Sequence, residues 1–217
     1  MSVSVFVEGG GPQRRTQTAC RKGFSLFFEK VLGDRPKPRI VASGGRNEAY
    51  RDFCRAMESD PDSFSVLLVD SEGPVTAGRG AVAHLQERER RWTGLRDGQV
   101  FLMVQCMEAW FLADIPAVAA YYGREFRASA LPGHPDIEMI AKRDVLEGLH
   151  AAARATAKGG YLRHQERRRL RASRRHPTPA RCGGGRGMLR ICSICCLRGW
   201  PKEAGPPSVT YTRFRIS

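Results

Sequence analysis

The chain has 217 residues, enough for one well-buried domain with an appendage but too few for two full domains. Its formal net charge of +14 points to a nucleic-acid or anionic-surface binder until the charge is located along the chain. Residues 1–157 carry 21 Lys and Arg against 20 Asp and Glu, and residues 158–217 carry 15 against 2, which excludes a uniformly basic domain.

Val3-Ser4-Val5-Phe6-Val7 is a β-branched and aromatic run closed by Glu8 and three glycines, the pattern of a strand ending in a turn. Phe24, Phe27, Phe28, Val31 and Leu32 recur at helical spacing, and Gly33 stops that helix. Arg39 to Ser43 predicts a second strand before Gly44-Gly45. Asn47 then caps a helix whose apolar face is Tyr50, Phe53, Cys54 and Met57. Phe64 to Val69 is almost continuously apolar, as in a strand covered on both faces, and runs into Asp70-Ser71-Glu72-Gly73. A polar stretch from Thr76 to Gly98 precedes a fourth strand over Val100 to Val104. Asp114 has the position of an N-cap, with Pro116 in the first helical turn. A last helix opens with Asp144 and Glu147 at capping-box spacing and stops near Gly159-Gly160. The alternation predicts an α/β domain over residues 1–160, with a mainly parallel sheet flanked by helices.

The start, MSVSVFVEGGG, lacks the basic segment of a signal peptide. The longest apolar stretch, Val100 to Ala113, is interrupted by Gln105 and Glu108 and falls short of the ~20 residues that span a bilayer. A cytoplasmic protein with no membrane segment is therefore expected. Cys20, Cys54 and Cys106 read as small buried hydrophobes rather than disulfides.

Ligands of open parallel sheets bind beyond the C-terminal strand ends, where Glu8 and the Asp70/Glu72 pair both fall. Neighbouring strands lie about 4.8 Å apart, so such carboxylates can share a hard cation, Mg²⁺ or Mn²⁺. Phosphoryl chemistry is the natural use of that arrangement, with Glu8 as general base or acid. The plainer alternative is that these are ordinary turn residues. Gly9, Gly10 and Gly11 also fit a phosphate cradle, but no dinucleotide-binding or Walker pattern follows them. Glu108 lies among apolar residues and needs either a partner such as Arg46 or a role at the metal. Arg46 and Asn47 lie at the same sheet edge and suit either phosphate binding or a solvated turn.

VFVEGGG, GGRNEAY, LLVDSEGPV and QCMEAWFLAD, in that order, resemble the bacterial Toprim-related family called domain of unknown function 4276, over roughly residues 3–160. Toprim domains of type II topoisomerases, primases and overcoming-lysogenization-defect nucleases carry a Glu after the first strand and an Asp-x-Asp after the third. Glu8 and Asp70 match, while Glu72 stands where Asp is usual. The resemblance implies a Toprim-like, Rossmann-like fold and a Mg- or Mn-dependent nuclease or phosphotransfer domain. Glu8, Asp70 and Glu72 would hold the metal and Glu108 would assist. Gly9, Gly10, Arg46, Asn47 and Lys158 are the candidate substrate contacts. Lys142 and Lys158, in the segments AKRDV and AKGGY, are candidates to neutralise a phosphate. Nucleic acid as substrate and an ATPase partner in phage defence follow by analogy, as does the alternative of a non-catalytic regulatory or nucleic-acid-binding subunit.

From Leu162 the composition changes to Arg, Gly, Pro, Ser and Cys with almost no acid and no apolar period. This tail, 161–217, reads in one of two ways. It is a disordered basic arm that binds nucleic acid through counterion release, or the product of wrong-frame translation of a GC-rich gene. A zinc site from Cys182, Cys192, Cys195 and Cys196 with His164 and His176 is a weak third, since the Cys192–Cys195 pair has no properly spaced partner pair.

Overall fold

The computed structural model describes residues 2–161, so the readings of the basic tail lie outside the described residues. Apolar runs closed by acids or glycines give four strands, β1 (Val3–Gly10), β2 (Arg39–Gly44), β3 (Phe64–Asp70) and β4 (Val100–Met103). All pair parallel, in the order β2-β1-β3-β4. Parallel neighbours need crossovers, which α1 (Arg14–Leu32), α2 (Arg46–Ser59) and α3 (Ala81–Arg88) supply. The expected α/β architecture, a parallel sheet flanked by helices, is thus present.

The two-residue pleat of β1 and β3 divides the core into layers. Val5, Val7 and Leu68 pack with Phe24 of α1, and also with Ile40 and Met103. Phe6, Leu67 and Val69 face the other way, against Ala49 and Phe53 of α2, Leu85 of α3 and Trp92. Phe53 is fully buried and meets Phe6 edge to face at 6.3 Å between ring centres. Phe53→Ala is therefore expected to cost about 3–5 kcal/mol in a urea titration, from lost burial and the cavity left behind. A third cluster joins a 3₁₀ helix (Met107–Asp114) to α4 (Ile115–Tyr122) and α5 (Lys142–Ala153) through Phe111, Leu112, Val118, Val145 and Leu149. Met107 packs against both this cluster and the α1 layer.

Several boundaries differ from the sequence reading. α1 begins at Arg14, well before its apolar face, because its first turns carry polar residues that need no burial to be helical. α2 starts at Arg46 with Gly45 as N-cap, so Asn47 is inside the first turn and caps nothing. α5 starts at Lys142, not Asp144, since the Gln105 side chain accepts the Lys142 N–H at 3.4 Å and Ala141 is the N-cap. α3 lies inside the stretch read as polar. Asp114 does cap α4, its Oδ1 accepting the Ala117 N–H at 3.0 Å. No described helix is long and apolar enough to cross a membrane.

The chain leaves β1 for β2 on one side and later reaches β3 on the other. The C-terminal ends of β1 and β3 therefore flank the point where strand order reverses, the place where open α/β sheets bind ligands.

Candidate metal centre

Glu8 and Asp70 stand at those two strand ends. β1 and β3 pair in register through Val7 and Leu68, and β1 then slips against Gly44 at Glu8, Gly9 and Gly10. Irregularities of this kind re-aim side chains at strand ends. Here the Asp70 N–H donates to Glu8 Oε2 at 3.1 Å. Gly10 is required by the same packing, because its φ is +82° and a β-carbon there would stand 2.6 Å from Gln17 Cα of α1. The glycines thus bring α1 onto the strand end, and the Thr16 hydroxyl donates to the Gly10 carbonyl.

Glu72 joins the pair after a left-handed turn, with φ +62°. Carboxylate oxygens of Glu8, Asp70 and Glu72 all lie within 4.8 Å of one another. Asp70 is buried, accepts the Met107 N–H on Oδ1 at 2.9 Å, and receives Lys142 Nζ on Oδ2 at 3.2 Å. Lys142 Nζ also donates to Glu72. Arg46 Nη1 donates to the Asp70 carbonyl at 2.6 Å and lies 3.6 Å from Glu8 Oε2. Its Nε pairs with Glu89 at 2.9 Å, and its guanidinium carbon sits 5.5 Å from the centre of the Trp92 ring.

Burial and then the Asp70 charge raise the Glu8 carboxyl from 4.5 to about 7, against the lowering pull of Arg46. Three acids crowd the site, and burial with the Asp70 charge leaves Glu8 reluctant to ionise despite the nearby Arg46. An all-oxygen donor set at this spacing fits a hard divalent ion, which would relieve that repulsion.

The other predicted residues divide. Lys142 and Arg46 reach the carboxylates. Glu108 does not belong to the group of three; it is buried, and Tyr161 donates its hydroxyl to Glu108 Oε1 at 2.7 Å. Glu108 also lies near Cys20, whose thiol is pushed up to about 12 by burial and then by the Glu108 charge. Its partner is thus Tyr161, and Arg46 is taken up by Glu8 and Glu89. Lys158 is tied to α4, donating to the Tyr121 carbonyl with its Nζ 4.4 Å from the Tyr121 ring centre. Its partner is thus Tyr121 of α4 and not one of the three carboxylates. Sequence reasoning missed His84 and Arg88 of α3, Trp92 beneath Arg46, and Tyr161. The run Ala81-Val82-Ala83-His84-Leu85 after Gly80 was the available signal for α3.

Fold and site define a parallel α/β domain with an acidic centre at its switch point. Residues 7–172 match the family described as Domain of unknown function (DUF4276), and the chain belongs to that family. No curated protein and no solved structure matches it.

Proposed function

We propose that this chain is a cytoplasmic Toprim-like, metal-dependent nuclease or related phosphotransfer domain, with Glu8, Asp70 and Glu72 holding Mg²⁺ or Mn²⁺. The observation that carries the reading is the convergence of three carboxylates within 4.8 Å at the ends of β1 and β3. The order Glu8, then Asp70-x-Glu72, supports the Toprim comparison, with Glu72 lengthening the reach of the usual Asp. A bound divalent cation supplies Lewis acidity toward a phosphodiester and lowers the pKa of its water. Glu8, at the edge of the site, would take the proton of the attacking water or hydroxyl as general base. Lys142 sets a positive charge beside Asp70 and Glu72, where it neutralises a phosphoryl oxygen. Arg46 holds the Asp70 carbonyl and steadies Glu8. Nucleic acid is the substrate of this reading, and an ATPase the partner that the analogy adds.

The ion pairs of Lys142 with Asp70 and Glu72, with Arg46 beside Glu8, favour a second reading: a non-catalytic subunit whose charge cluster is structural. A plasmid-nicking assay with Mg²⁺ or Mn²⁺ separates the two. The wild type cleaves and Glu8→Gln loses at least ~10²-fold, the usual cost of removing a general base. Undiminished cleavage by Glu8→Gln defeats the first reading, and no cleavage with any metal, partner ATPase present, favours the second.

A further inference from the structure

The segment from Asp70 to Gly73 turns Glu72 back toward Glu8, and its carbonyls are held by side chains. The Asp70 carbonyl accepts from Arg46 Nη1 at 2.6 Å, as described. The next carbonyl, of Ser71, lies 2.9 Å from His84 Nε2. That of Glu72 accepts from Arg88 Nη1 at 3.4 Å, and that of Gly73 from the Ser71 hydroxyl at 2.6 Å. On the other edge, the Ser71 and Glu72 N–H groups donate to the carbonyls of Met103 at 3.0 Å and Gln105 at 2.9 Å.

Two features make the α3 contacts more than incidental. Ser71 and His84 are both buried, so no bulk water competes for that carbonyl. A carbonyl oxygen only accepts, which puts the proton on Nε2. Glu72 meanwhile sits at φ +62°, a region that a residue with a β-carbon avoids unless its surroundings hold it there. The Arg88 guanidinium lies against the turn, and a β-carbon on Gly73 would stand 2.7 Å from Arg88 Nη2. Gly73 thus admits the arginine that grips the preceding carbonyl.

We infer that His84 and Arg88 are positioning residues of the carboxylate site. Through the Ser71 and Glu72 carbonyls they lock the left-handed turn that aims Glu72 at a cation shared with Glu8 and Asp70. The inference rests on the metal reading for its purpose and on the hydrogen bonds for its geometry, so the two are tested separately. In the full chain without metal, amide hydrogen exchange at Ser71 and Glu72 reads the turn; Mn²⁺ titration reads the site. His84→Ala and Arg88→Met are expected to speed exchange at these two amides while the β1 and β3 amides stay protected. Mn²⁺ affinity is expected to fall about 10- to 100-fold in His84→Ala, the usual consequence of freeing a metal ligand's support. His84→Gln, which keeps an N–H donor, is expected to restore most of it, a rescue that a merely space-filling histidine would not require.

Unchanged exchange in both variants overturns the inference, as does a loosened turn whose Mn²⁺ affinity stays within about twofold of wild type. Should His84→Ala fail to fold, Arg88→Met decides on the same criteria, since Arg88 is exposed and its loss leaves the core intact. A wild type that binds no Mn²⁺ while the variants still loosen the turn removes the metal reading and leaves the positioning of Glu72 standing.

Discussion

Asp70→Ala is expected to destabilise the fold by about 3–5 kcal/mol, the range for breaking a buried ion pair by deleting one partner. Asp70 is buried, and its two oxygens serve the Lys142 ammonium and the Met107 N–H. Alanine leaves the N–H without its acceptor and the ammonium with Glu72 alone. Asp70→Asn keeps the volume and an acceptor for Met107, so it is expected to lose less stability while losing Mn²⁺ binding. It is also expected to bring the Glu8 carboxyl down toward its ordinary range, because the Asp70 charge is the second cause of the Glu8 shift, after burial. Urea denaturation and Mn²⁺ titration of the two variants read these effects separately. Equal stability loss in both would show that the charge pairing, which both variants lose, governs the position rather than packing or the Met107 acceptor.

The second large effect is a pH dependence at Glu8. Its folded pKa of about 7 lies above the ordinary 4.5, so the proton-bound form favours the folded state. That contribution is fully present below pH 4.5, declines by about 1.4 kcal/mol for each pH unit above it, and is spent once pH passes about 7. The difference in unfolding free energy between wild type and Glu8→Gln isolates it, with the wild type losing ground relative to the variant as pH rises. A cation has to displace the same proton. Mn²⁺ affinity is therefore expected to rise about tenfold per pH unit below about 7 and to level off above it. A flat profile between pH 5 and pH 7 would mean that Glu8 is not a ligand.

The acidic centre is legible in the sequence because its members sit at the ends of apolar runs. A strand is readable from composition, and its C-terminal edge then fixes where Glu8 and Asp70 go. Lys142 is legible only as a residue of interest, since its partners lie 72 and 70 positions away and depend on how α5 packs. The same holds for Glu108, whose partner Tyr161 is 53 residues distant. α3 escaped notice because it is eight residues long, with only His84 and Leu85 buried, too short to show a period against charged neighbours. Asn47 misled because Asn is a good N-cap in general, whereas the close turn after β2 gives that position to Gly45. Local signals thus predict strands and strand-end acids well, and they say little about which distant side chain meets each one.

The most direct test of a divalent metal centre is the anomalous scattering of a crystal of this protein soaked in Mn²⁺. A peak is expected between β1 and β3, with Glu8, Asp70 and Glu72 oxygens at about 2.0–2.3 Å, distances suited to Mg²⁺-like ions. A crystal with no peak there, and with Lys142 still bridging Asp70 and Glu72, would contradict it.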